Sequence, residues 1–287
     1  MRLNSLPIVF LALAAFAGPV CAQNIRDLGN IPDPDTSGPY AMDISGDGSV
    51  IVGNAVFQFM SDFRPFRWTE ADGMVALGLM AGSRSCEANS ISSDGSTIAG
   101  NCIQAGVGGQ RKAFSWTAAL GYQQLPGLAA ISEESASAMS ENGSFAVGSS
   151  LFFNVSALTR HAVRWENGAV LDLGTLNPTD PTAQSSATGI STDGEIVVGW
   201  SNHITGDRNT RAFRWENGVM SDLGTVIGFA SSSASATSAD GNVVVGTLGR
   251  QFEYELSGAF RWVKGANGAP DLMSNLGYLT GADTASA

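Results

Sequence analysis

The chain has 287 residues, 44% hydrophobic and only 14% charged, which excludes a disordered polar chain and leaves ample apolar mass for a large core. Its net charge of −11 sets the surface against phosphate backbones and so against nucleic acid. Thirty-five glycines point to many tight turns.

From the N-terminus, Arg2, the apolar run PIVFLALAAFAGPV and a small-residue site ending at Ala22 read as a signal peptide over residues 1–22. The run is too short for a comfortable membrane span. The expected product is exported (periplasmic, cell-surface or secreted), with no transmembrane segment in the mature chain. NIRDLG at 24–29 reads as a spare fourth strand that could close a ring; 271–277 is a second candidate for the same seat. Cys86 and Cys102 lie symmetrically about a hairpin centred near Asp94, so they face each other across two strands at a spacing a disulfide can span. In an exported chain the expectation is a structural bond, the alternative being two buried thiols.

Beyond residue 40 the same landmarks recur. The glycine of an S-x-D-G stretch falls at Gly48, Gly95, Gly143, Gly194 and Gly241, with a second glycine five residues on each time, at Gly53, Gly100, Gly148, Gly199 and Gly246. A tryptophan closes PFRW, AFSW, AVRW, AFRW and AFRW at Trp68, Trp116, Trp165, Trp215 and Trp262. Successive turn glycines are 47, 48, 51 and 47 residues apart, so the chain is a repeat protein. Each unit reads as four strands: one ending at the S-x-D-G turn, a β-branched return such as EIVVG, the Trp strand, and a short strand after an Asn-Gly turn. In A-F-R-W, Phe and Trp share one face while Ala and Arg share the other. The aromatic pair is thus expected between neighbouring sheets, with Arg over the opposite face or reaching water. Four antiparallel strands per 47–51 residues predict an all-β propeller of five blades over 23–277, with a frayed tail at 278–287.

These pieces (HAVRW at 161–165, S-x-D-G followed by V-V-G, and D-L-G) resemble the HAF-repeat proteins, a family of extracellular repeat proteins, and the resemblance covers about 25–277. It implies an exported or surface protein and carries no catalytic residues to transfer.

No G-x-S-x-G, H-E-x-x-H, C-x-x-C or P-loop occurs. Two histidines exclude a His-rich metal site but not a carboxylate one, and neither cofactor nor metal is expected. In the S-x-D-G turns, Asn142 replaces the Asp found at 47, 94, 193 and 240, which fits turn chemistry rather than a ligand set. Function is expected on the face of the longer loops. Trp200, His203, Arg208, Phe152, Phe153, Phe252 and Tyr254 there are the candidate ligand-binding residues, as a stacking platform for a glycan or a cell-envelope or protein partner. The alternative for each aromatic is strand extension. The expected function is a non-catalytic binding scaffold. The alternative is a carbohydrate-active hydrolase or lyase using loop acids such as Glu133 with Glu134, or Glu253 with Glu255.

Overall fold

The computed structural model describes residues 27–32, 36–57, 62–106, 108–154, 157–203, 209–249, 258–267 and 269–277. The expected signal peptide at 1–22, residues 23–26 and the 278–287 tail lie outside the described residues. Within them the chain forms twenty strands in five four-stranded antiparallel sheets, each a simple meander, and no helix. Blade one comprises β1 (Thr36–Ile44), β2 (Val50–Phe57), β3 (Asp62–Thr69) and β4 (Gly73–Ala76). Blade two has β5 (Ser83–Ile91), β6 (Thr97–Gln104), β7 (Arg111–Thr117) and β8 (Gly121–Gln124). Blade three has β9 (Ser132–Met139), β10 (Phe145–Asn154), β11 (Ala157–Glu166) and β12 (Ala169–Gly174). Blade four has β13 (Ser185–Ile190), β14 (Ile196–Asn202), β15 (Thr210–Glu216) and β16 (Val219–Asp222). Blade five has β17 (Ser231–Thr237), β18 (Val243–Gly249), β19 (Gly258–Val263) and β20 (Leu272–Asn275). The segment at 271–277 therefore takes the fourth-strand seat of blade five, while 27–31 forms no strand.

Both recurring glycines have a backbone reason. Gly48, Gly95, Gly143, Gly194 and Gly241 close their turns at φ between 68° and 81°, a region that side chains rarely adopt. The second glycine sits where the first strand bulges toward the second. A Cβ at Gly53, Gly100, Gly148, Gly199 or Gly246 would stand 1.8–2.1 Å from a first-strand carbonyl oxygen.

The turn aspartates bond within their own turns. Asp47 Oδ1 accepts from the Ser49 N–H and the Ser45 hydroxyl, at 2.9 and 2.8 Å. Asn142 Oδ1 accepts from the Ser144 N–H and the Ser140 hydroxyl in the same way, at 2.9 and 2.7 Å. The repeat needs the acceptor oxygen here and not the charge.

Blades stack in chain order, each first strand packing on the preceding blade. The Phe/Trp face always looks backward. Phe114 meets Val50 and Val52, Trp165 meets Ala99 and Ala113, and Phe213 with Trp215 meets Val147 and Ala162. Phe260 and Trp262 likewise meet Val198 and Ala212. Blade one has no preceding blade, and Leu28 and Ile31 lie on its Phe66 and Trp68 instead.

The Ala/Arg face is buried too, which alternation alone does not reveal. Ala113, Ala162 and Ala212 are fully buried against the next blade. Arg214 is also buried and donates from Nε to the Gly241 carbonyl of the next blade's turn at 2.9 Å, as Arg164 Nη1 does to Gly194 at 2.8 Å. Blade two carries Ser115 in this place, and a cavity of about 230 Å³ opens there beside Gly143 and Trp165. Cys86 and Cys102 pair directly across β5 and β6 and form a disulfide.

Two predictions follow from this packing. Trp165 is 1% exposed and its indole N–H donates to the Pro126 carbonyl. Trp165→Ala should lower unfolding free energy by about 3–5 kcal/mol in urea titrations. The second concerns acid. The Ser49 N–H above all, with the Ser45 hydroxyl, holds Asp47 down to about 2. The Ser238 hydroxyl and then the Asn242 N–H hold Asp240 down to about 2. Hydroxyls of Ser92 and Ser191 lower Asp94 and Asp193. A folded pKa below the unfolded one gives stability that is present above the ordinary value of 3.8 and lost as pH falls toward about 2. Changing these four aspartates to Asn, the residue position 142 already holds, should lower the pH 7 melting temperature modestly, because the charge-dependent share of that stability is removed, and flatten its decline below about pH 4.

Candidate functional site

The meander fixes which ends of the strands meet. The S-x-D-G and Asn-Gly turns share one face, and the starts of the first and third strands gather on the other with the ends of the second. At that second face, β9, β10 and β11 together with the starts of β7 and β13 enclose a polar cavity of about 290 Å³. Arg111 and Arg160 line it from blades two and three, Glu133, Glu134 and Ser149 from blade three, and Ser186 from blade four.

Glu134 is the buried member, 1% exposed. Its Oε1 accepts from the Ser132 hydroxyl. Lys112 Nζ stands 3.2 Å from Oε2, near enough to balance charge. The direction suits no hydrogen bond, so Oε2 has a counter-ion but no donor. The charge contact still holds the carboxylate, because Coulomb attraction does not depend on that angle. Gly127 makes room for the group: a Cβ there would lie 2.0 Å from Glu134 Oε1. The Pro-Gly of the blade-two exit loop is thus a close-approach site. Successive strand residues point to opposite faces, so Glu133 and Glu134 reach the cavity from either side of β9.

Beside the cavity lies an apolar tip. Ile131 is 73% exposed, Phe153 74% and Leu158 50%. Register places them together: Phe153 pairs with Leu158, and Phe152 pairs with Ser132, the neighbour of Ile131. Phe152 itself is partly buried, edge-on to His161 at 5.3 Å, and His161 Nδ1 lies 2.9 Å from Asp172.

The residues singled out from sequence distribute unevenly over this face. Phe152 and Phe153 lie on β10 and are strand rather than loop, β10 and β11 running on almost to the hairpin tip. Trp200 also lies within a strand, β14, opposite Ser186 on one side and Ala212 on the other, and is half-buried. It therefore adjoins the cavity through Ser186 but also contributes to the sheet. His203 follows β14, with Nδ1 buried and unpartnered. Arg208, Phe252 and Tyr254 lie outside the described residues, as do Glu253 and Glu255. Sequence reasoning missed Arg111, Arg160, Ile131 and Leu158. The signal for Ile131 was a large apolar residue in the link between two blades, just before the acidic stretch SEES; for the arginines there was none.

A wider cleft of about 920 Å³ opens on the short-turn face between blades one and two. Its lining, including Arg67, Leu77 and Trp116, is the repeat's own packing set, so it is a loosely filled blade interface.

No family model matches the chain, and no curated protein matches its sequence. Solved structures do resemble it in fold. A putative TolB from Agrobacterium tumefaciens is 13% identical, with 83% of this chain and 79% of that chain covered at a TM-score of 0.53. The β-propeller domain of the trilobed protease from Pyrococcus furiosus, which has an open velcro topology, is 11% identical over 85% and 71% at 0.53. A prolyl endopeptidase structure matches at 10% identity and 0.54, this chain spanning 37% of its length. Five four-stranded antiparallel sheets and these neighbours define the chain as a β-propeller.

The buried ion pair yields a prediction. Lys112→Met leaves Glu134 without its counter-ion and should destabilise the chain by about 3–5 kcal/mol, whereas adding Glu134→Gln to it should restore most of the loss. Equal stability of single and double variants in urea would show that the pair is not coupled.

Proposed function

We propose that the chain is an exported, non-catalytic binding scaffold of the HAF-repeat kind, and that it binds a protein or glycan of the cell envelope through the long-loop end of blades two to four. The observation that carries this reading is the exposed apolar tip of Ile131, Phe153 and Leu158 beside the cavity lined by Arg111 and Arg160. Exposed large apolar residues grouped beside arginines are the composition of a recognition surface. Glu134 is committed to Ser132 and Lys112, which favours a structural role for that carboxylate over proton transfer. The disulfide supports an oxidising compartment. Among the described residues no helix is long and apolar enough to cross a membrane.

The test begins with thermal melts against glycans and cell-envelope fractions. A ligand at about 100 times its Kd adds roughly 2.7 kcal/mol of stability. Phe153→Ser and Arg160→Ser should abolish the shift while leaving the ligand-free melting temperature within about 2 °C of wild type, since Phe153 is largely solvated and such surface changes cost little. Trp200→Ala is a poorer probe, because its half-buried indole makes a loss of binding indistinguishable from a loosened sheet. Undiminished shifts in both serine variants, or a flat panel with every fraction, would sink this assignment.

A further inference from the structure

Among the described residues no blade packs between blade five and blade one, and these two ends expose residues whose counterparts internal interfaces bury. On blade five, Val245 is 39% exposed, whereas its repeat counterparts Val52, Ala99, Val147 and Val198 are fully buried. Ala259 and Arg261 are exposed where Ala212 and Arg214 are buried. Thr247 is exposed where Asn54, Asn101 and Ser149 are buried. On blade one, Ala41 is exposed while Ala88, Ala136, Ala187 and Ala234 are buried, and Ile44 is 52% exposed against 5% for Ile91.

The turn glycines report the same gap from the backbone. Side chains of the preceding blade crowd a Cβ built on Gly95, Gly143, Gly194 or Gly241: Val50 in the first case, Phe145 and Ile196 in the last two. Among the described residues Gly48 meets only its own Ile44, at 3.9 Å. Terminal repeats of stacked arrays ordinarily carry a polar capping face. Here blade five keeps the interior set unaltered.

We propose that blade five of one chain docks on blade one of a second copy, repeating the internal blade-to-blade interface head to tail. The internal contacts specify the pairing. Val243 takes the place of Val50 or Ile196 and covers the second copy's Gly48. Arg261 takes the place of Arg164 and Arg214, which reach Gly194 and Gly241, and donates to the second copy's Gly48 carbonyl. Turns already link through backbone amides, Gly46 to Ser93, Ser93 to Glu141 and Thr192 to Ala239, so the Ala239 N–H reaches the second copy's Gly46 carbonyl. A second copy is favoured over a foreign partner because the two exposed faces are complementary to each other. It is favoured over self-closure because, among the described residues, Ala41 and Ile44 of blade one and Val245 and Ala259 of blade five are exposed in the same folded chain, Leu28 and Ile31 covering only the Phe66 and Trp68 part of blade one's face. Such a contact is heterologous, so it propagates unless the rotation closes.

The experiment is sedimentation equilibrium on the full chain and two variants, Val245→Asp and Ile44→Asp, both at positions solvated in the single chain. Wild type should show a mass that climbs with concentration through dimer and beyond, and each variant alone should stay at the single-chain mass. Mixed, the variants should form a species of twice that mass and nothing larger, because only one intact tail and one intact head remain to meet. Circular dichroism melts matching wild type would show that both variants are folded. A wild type of single-chain mass at every concentration would overturn the proposal in favour of self-closure or a different partner. A mixture that stays at single-chain mass, or forms larger species, would overturn the head-to-tail pairing.

Discussion

Everything in this molecule depends on the burial of an aromatic pair between successive sheets. A four-stranded meander has two faces, and neither can be left in water when one holds Phe and Trp and the other Ala and Val. Each blade resolves the problem by giving its aromatic face to the blade before it and its small-residue face to the blade after it. The aromatic rings are large and the alanines opposite them small, so the sheets interdigitate closely. Blade one has no predecessor, and Leu28 and Ile31 cover its Phe66 and Trp68 in partial substitution.

Once the sheets are pressed together, polar groups caught between them need partners. Arg164 and Arg214 supply donors to turn carbonyls of the following blade. Asn54 pairs with both backbone groups of Ala88 across the same kind of seam. Serine hydroxyls at the first-strand starts accept from third-strand amides, Ser185 from Ala162 and Ser232 from Ala212. This polar stitching fixes register between blades, while the aromatic burial supplies most of the driving force. The same logic explains the cavity beside Ser115, where the side chain is too short to reach Gly143.

The loop end is free of these obligations, which is why it differs from blade to blade. Among the described residues blade three has the longest paired central hairpin, with Phe153 and Leu158 near its tip. The polar cavity at its base combines arginines from two blades with a serine from a third, a combination that no single repeat contains. A binding face on a propeller is therefore assembled from the unlike parts of like units.

By itself the sequence determined the repeat length, the strand count and the turn chemistry, because those depend on residues near one another in the chain. Asn142 standing for Asp in an unchanged turn, and Cys86 opposite Cys102, were both legible from spacing alone. It also separated Phe213 and Trp215 from Ala212 and Arg214 by the two-residue period of a strand. Only the tertiary structure decided that the second face is buried as completely as the first, since alternation says which side chains share a face and not what covers it. Likewise Trp200 and Phe152 read from the sequence either as loop aromatics or as strand extensions, and the tertiary structure decided for the strand. The gathering of Arg111, Arg160, Glu134 and Ser186, and the exposure of Val245 and Ala41 at the two ends of the stack, rest on contacts between blades far apart in sequence. Packing between units sets those contacts, and a local pattern cannot encode which of five similar interfaces is left unmade.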